Sequence, residues 1–240
     1  IQISPPWEVQ ISQSPWGSNY LVPDLSHEYL SNDAFRLLAH YGINGMTIYG
    51  DLMFYVRSQI LPELNHPDYE KSISTLRNAT ECAARYGISL YWVPVLPKLA
   101  EDHPVFLNHP GVRGSRLGTR PGTKPIYTLC SSSEGSRAPY TEVMENLFRE
   151  VPLLGGLILI IGGESYYHCY MRPADRGHEK TNCPVCALRD PEEGVAGVVG
   201  NTAKAVHRAK PEAPVLAWPY SAFVWSKDPN QVEFIRKMSL

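Results

Sequence analysis

Leu157-Ile158-Leu159-Ile160-Ile161-Gly162-Gly163-Glu164-Ser165 is the stretch that decides the fold. Five consecutive apolar residues, three of them β-branched, read as a strand buried on both faces, the pattern of a parallel sheet. Two glycines end the strand and a carboxylate follows at once. Where strands and helices alternate, chemistry collects at the carboxyl ends of the strands. Glu164 therefore stands where a catalytic acid would. The competing reading makes it a helix N-terminal acid that stabilises the next element through the dipole.

Working outward, the same alternation recurs. Ser31-Asn32-Asp33 caps a helix with Phe35, Leu37, Leu38 and Tyr41 at helical spacing, and Gly42 ends it. Met46-Thr47-Ile48-Tyr49 is a strand with Gly50-Asp51 at its carboxyl end, so Asp51 is a second strand-end acid; its plainer reading is a turn-forming Asp. Pro67-Asp68 opens a long helix to Tyr86, Gly87 closes it, and 88–93 is the next strand. Further helices are expected over 141–151, 195–209 and 229–238, and a strand over 215–218; a first strand around Ile3, Val9 and Ile11 is weak. Such alternation implies parallel strands joined by helical crossovers. The expected fold is α/β, a TIM-type (β/α) barrel in one domain over 1–240. Four strands are clear and one or two are weak, where closure takes eight. The chain reads as an incomplete barrel, a piece of a longer one.

Composition narrows the partners. A net charge of −2 with no basic run argues against nucleic acid. No apolar segment reaches the roughly 20 residues that cross a bilayer. The chain opens at Ile1 with no visible signal peptide, which leaves the compartment open. Residues 98–125 form an irregular stretch with Lys98, Arg113, Arg116, Arg120 and Lys124, either a solvated loop or a lid that brings cations to a substrate.

The loop after Glu164 holds the unusual residues. His168, Cys169, His178, Cys183 and Cys186 fall within 20 positions, and the last two form Cys-x-x-Cys, a spacing that lets two thiolates share a tetrahedral ion. Cys169, Cys183, Cys186 and His178 (or His168) would complete a Cys₃His zinc shell with no open position, hence structural. A disulfide with a spare thiol and three free thiols are the other readings. Cys82 and Cys130 read as buried free thiols.

With these motifs in order, the chain resembles the catalytic domain of family 20 of the glycoside hydrolases, the β-N-acetylhexosaminidases. The resemblance rests on Tyr41-Gly42-Ile43 and Tyr86-Gly87-Ile88, on Leu129-Cys130-Ser131-Ser132-Ser133-Glu134, on Phe148-Arg149-Glu150-Val151, and on the strand ending Gly162-Gly163-Glu164-Ser165. That family ends the strand in Gly-Gly-Asp-Glu, where the Asp orients the acetamido group and the Glu is the general acid. Aligned without a gap, Glu164 takes the place of the Asp and Ser165 that of the acid. A serine hydroxyl cannot serve as an acid near neutral pH, so Glu164 is taken as the acid of a related family.

The expected activity is glycosidic cleavage of an oligosaccharide, needing no cofactor. Glu164 is the proton donor and Asp51 the partner carboxylate or a sugar-hydroxyl ligand. Tyr49, Trp92, Tyr166, His168, Trp218 and Tyr220 sit at or just after strand ends and are candidates to line the sugar site, though each is individually more often core or rim. Two alternatives stand beside this: a non-catalytic carbohydrate-binding barrel, favoured by Ser165, and a metal-dependent barrel hydrolase, disfavoured because no His-x-His follows a strand.

Overall fold

The computed structural model describes residues 11–13, 30–117, 122–162, 168–171, 181–219 and 232–238. In chain order the elements are β1 (Ile11–Gln13), α1 (Asn32–His40), β2 (Gly45–Asp51), α2 (Tyr69–Ala84), β3 (Ser89–Val95), β4 (Leu99–Ala100), α3 (Pro104–Asn108), β5 (Arg113–Arg116), β6 (Ile126–Leu129), α4 (Val143–Glu150), β7 (Gly156–Ile160), α5 (Pro191–Ala209), β8 (Val215–Trp218) and α6 (Val232–Met238). Strands β1, β2, β3, β7 and β8 lie side by side in that order. Every pairing among them is parallel. Each strand takes its place beside the previous one after a helical crossover, the winding of a (β/α) barrel. The five described strands make an arc of the eight that closure takes.

Local chemistry sets the ends of the first units. The Ser31 hydroxyl accepts from Ala34 N at 3.2 Å and caps α1. Gly42 and Gly87 leave the first two helices at φ +76° and +70°, conformations that side chains resist. At the start of α5, Asp190 accepts from Glu192 N at 2.8 Å and Glu193 N at 3.1 Å.

The strand register sorts side chains onto two faces. Partners in a parallel ladder share a face, and successive residues alternate. Ile48 pairs with Trp92, Trp92 with Leu157, and Leu157 with Val215. This set faces the helices. Met46, Ile48, Leu90, Trp92, Leu157 and Leu159 join Phe35, Leu76, Leu147 and Val206 in the main core. The other set faces the barrel axis. Tyr91, Val93, Ile158 and Ile160 form a second, smaller cluster with Ile11 and Tyr49 packed on it. Leu216 and Trp218, partners of Ile158 and Ile160, extend that face and are 43% and 47% exposed. The unbroken apolar run of the sequence is thus explained: β7 is buried toward both layers.

The stretch 98–125 is more ordered than its sequence pattern suggests. It carries β4, α3, β5 and the approach to β6, and the strands form a second sheet, antiparallel, in the order β4-β6-β5. Two- and four-residue strands give too short an alternation to read from sequence. Two of its cations are paired within the insertion: Lys124 with Asp102 at 3.2 Å and Arg113 with Glu101 at 3.6 Å, Arg113 also lying over the Tyr127 ring. Lys98 lies close enough to Asp51 for its charge to act on that carboxyl group, and Arg120 lies outside the described residues.

Gly50 marks the tightest contact between sheet and core. A Cβ there would fall 2.2 Å from Trp92 Nε1. Trp92 is fully buried against Tyr55, ring centroids 5.2 Å apart, and has no room to retreat. Gly50→Ala is expected to lower the unfolding free energy by about 1–3 kcal/mol, the usual cost of overpacking. Urea denaturation checks this through a lower midpoint at unchanged m-value.

Candidate active site at the carboxyl ends of the strands

Asp51 is the last residue of β2, and its partner in register is Val95, the last residue of β3. By alternation Asp51 shares the axis-facing side with Tyr49 and Thr47. Its carboxylate Oδ1 accepts from Met53 N at 3.0 Å, capping the 3₁₀ turn Leu52–Tyr55. Asp51 is therefore both turn-forming and presented at the carboxyl end of the sheet. Burial raises its pKa above the ordinary value of 3.8, while the Met53 N–H and the nearby charges of Lys98 and His66 pull it partly back. A carboxyl group held in this balance, at this end of a parallel sheet, is suited to proton transfer or to gripping a hydroxyl.

Tyr49 is half-buried two residues before Asp51 and rests on the axis-facing cluster. Trp218 ends β8 on the same face with about half its surface exposed. Its ring and the Leu216 side chain offer the flat apolar surface that a pyranose face suits. Glu164, Tyr166 and Tyr220, expected to complete this end, lie outside the described residues.

Two expected sugar contacts are corrected. Trp92 faces the helices, not the axis, and is fully buried; its position near a strand end hid the parity that sends it inward. His168 is also fully buried. Its Nε2 lies 2.8 Å from Ile161 O, and its Nδ1 accepts from Tyr170 N at 3.3 Å. Burial pushes its pKa down to about 4, so the ring is neutral across the physiological range. Both nitrogens are used in pinning the chain as it leaves β7, which also removes His168 as an alternative metal ligand.

The cysteines meet, with a member that the spacing did not reveal. The Sγ atoms of Cys130, Cys169, Cys183 and Cys186 all lie within 4.8 Å of one another, and all four residues are fully buried. Cys130 Sγ is 3.5 Å from Cys183 and 3.8 Å from Cys186. Disulfide sulfurs sit about 2.05 Å apart, and all five cysteines are free thiols. Hydroxyls surround the cluster: Ser132 Oγ lies 3.2 Å and Ser131 Oγ 3.7 Å from Cys186 Sγ, and Thr128 Oγ1 lies 3.8 Å from Cys169 Sγ. Hydrogen bonding within the cluster, from Cys130 first, holds the Cys186 thiol far below the usual thiol range. Among the described residues the fourth member is Cys130; His178 lies outside them. Cys130 directly follows β6, 39 to 56 residues before the others, and only its place after a strand end in a Cys-Ser-Ser-Ser run hinted at it.

A concavity of about 480 Å³ lies between the 131–137 turn and the start of α5, lined by Ser131, Ser133, Arg137, Asp190 and Glu193 among others. It is beside the thiols, not at the end of β2.

No family model matches the chain, and no curated protein matches it. Solved structures do. The α-galactosidase from Thermus thermophilus with stachyose is 14% identical, with TM-score 0.50, over 86% of this chain and 39% of that one. The same enzyme with p-nitrophenyl α-D-galactopyranoside gives 13% identity and TM-score 0.52 over 87% and 37%. A cycloisomaltooligosaccharide glucanotransferase from Paenibacillus with cycloisomaltoheptaose gives 9% and 0.52 over 88% and 30%. These likenesses establish the fold, the parallel (β/α) barrel type, and nothing in them singles out family 20. The chain spans less than half the length of each of these structures.

The raised pKa of Asp51 sets a pH dependence of stability. The folded chain holds this proton more tightly than the unfolded chain, so ionising Asp51 costs stability. The cost is absent below pH 3.8, grows as pH climbs toward the raised pKa, and is complete above it. Asp51→Asn keeps an oxygen for Met53 N–H and removes the charge. Its melting temperature is expected to equal that of the wild type at the acid end and to exceed it near neutral pH. Parallel thermal scans from acid to neutral pH check this; a variant less stable at neutral pH would contradict it.

Proposed function

We propose that this chain contributes the sugar-cleaving end of a glycoside hydrolase, with Glu164 as proton donor and Asp51 as its partner carboxyl group or as the ligand of a sugar hydroxyl. The observation that carries the reading is Asp51 itself: a carboxyl group with a raised pKa, on the axis-facing side, at the carboxyl end of a parallel (β/α) sheet. Support comes from the solved structures of the same fold, whose bound molecules are stachyose, a galactoside and a cyclic glucan. The sequence puts a second carboxyl group, Glu164, four residues beyond Ile160, the last residue of β7.

Glycosidic cleavage uses one carboxyl group to protonate the leaving oxygen and a second as nucleophile or base. This role requires Glu164 to hold its proton near neutral pH, which desolvation of its carboxyl group would bring about. Tyr49, Trp218, Tyr166 and Tyr220 flank the sugar. The hexosaminide preference suggested by the motif order belongs to this proposal as its finer part, as does the acetamido group of the substrate as an alternative to Asp51. No cofactor takes part in the step.

An aryl glycoside panel tests the reading. Wild-type protein is expected to release phenolate from at least one member. Glu164→Gln is expected to lower kcat by at least about 10²-fold, the general acid–base contribution, with unchanged thermal stability. An activated aryl leaving group, which needs little protonation, should be less sensitive than an unactivated one. Binding of sugars without turnover would instead favour the carbohydrate-binding barrel that Ser165 suggests, and unchanged kinetics in Glu164→Gln would remove it as the acid.

A further inference from the structure

We infer that Cys130, Cys169, Cys183 and Cys186 form a mononuclear tetrathiolate zinc site that clamps the 96–130 insertion onto the loop leaving β7. Four sulfurs around one zinc at about 2.3 Å define a tetrahedron with edges of about 3.8 Å. The distances from Cys130 Sγ, 3.5 Å to Cys183 and 3.8 Å to Cys186, lie at that edge length. No pair in the set exceeds 4.8 Å. So close a set fits one ion; a multi-iron cluster would hold its thiolates further apart. All four ligands come from the protein and all are fully buried, which closes the shell and makes the ion structural rather than catalytic.

The surroundings are those of a metal site rather than of apolar core. Ser131, Ser132 and Thr128 place hydroxyls around the sulfurs, where they can donate to thiolates and hold them in position. Cys183-Pro184-Val185-Cys186 makes a tight turn, closed by Ala187 N to Cys183 O at 2.9 Å, which brings two sulfurs to one side. Cys130 and Cys169 arrive from the other side on separate segments.

The position explains what the ion does. The insertion leaves the sheet after β3 and returns at α4. It meets the rest of the molecule beside the thiols, where Ser115 Oγ bonds Cys169 O at 2.5 Å and Asn182 Oδ1 accepts from Arg116 N at 2.8 Å. One ion joins the end of β6, the segment after β7, and the turn before α5. It thereby anchors the chain one residue beyond His168, downstream of the sequence that bears Glu164. The site stands whether or not the sugar-cleaving reading holds, since none of its ligands is assigned to that chemistry.

The test is metal analysis of the full chain, expressed with zinc supplied and purified without chelator. One zinc per chain is expected, with Cys82→Ser retaining it, since Cys82 lies apart beside Asn32, and Cys130→Ser losing it. Stripping the ion with a chelator is expected to lower the melting temperature, and Zn²⁺ alone to restore it. Should Cys130→Ser fail to fold, Co²⁺ loaded into wild-type protein decides the matter: a tetrahedral tetrathiolate complex gives an intense thiolate-to-cobalt charge-transfer band. A protein that binds neither ion, a disulfide between any two of the four, or a folded Cys130→Ser variant that keeps full zinc content would overturn the assignment.

Discussion

Everything in this molecule depends on the two-sided burial of a parallel sheet. One set of strand residues, with Trp92 at its centre, packs on the helices, and the alternate set packs toward the barrel axis. Parity along each strand decides which side chains belong to the scaffold and which can meet a ligand. Asp51 and Tyr49 fall on the axis side, and Trp92, one register position away, falls on the other. A one-residue slip of β2 would exchange these roles and bury a carboxyl group against the helices. The contact of Gly50 with Trp92 opposes such a slip, because only glycine fits beneath the indole.

On this scaffold, two devices sit at the same end of the sheet but on different elements. The carboxyl end of β2 carries Asp51, whose pKa burial raises above its ordinary value. The chain leaving β7 is pinned first by His168 on Ile161 O and then by Cys169 within the four-thiol cluster. The sequence puts Glu164 between the end of β7 and these pins. The proposed acid and Cys169 of the cluster are five residues apart in the chain. The proposed zinc and the proposed acid are in this sense linked by the chain, though neither requires the other.

Much of this was legible in the sequence. The buried run 157–161, the glycines closing α1 and α2, and the strand-end position of Asp51 each follow from period, turn chemistry and charge. What was hidden is equally specific. Trp92 and His168 looked like site residues because they are polar-tipped and near strand ends, yet parity and burial take both away. Cys130 looked like an ordinary core thiol because its partners lie 39 to 56 residues further on, a separation that no local spacing encodes. The insertion looked irregular because its strands are too short to show a period.

The most direct test of the central claim is a chemical-shift map of the labelled protein titrated with a panel of monosaccharides. The account predicts perturbations at the amides of Tyr49, Gly50 and Asp51 in β2, Val95 in β3 and Trp218 in β8, together at the carboxyl ends of neighbouring strands. Perturbations confined to the opposite ends, around Gly45, Ser89, Gly156 and Val215, would contradict it.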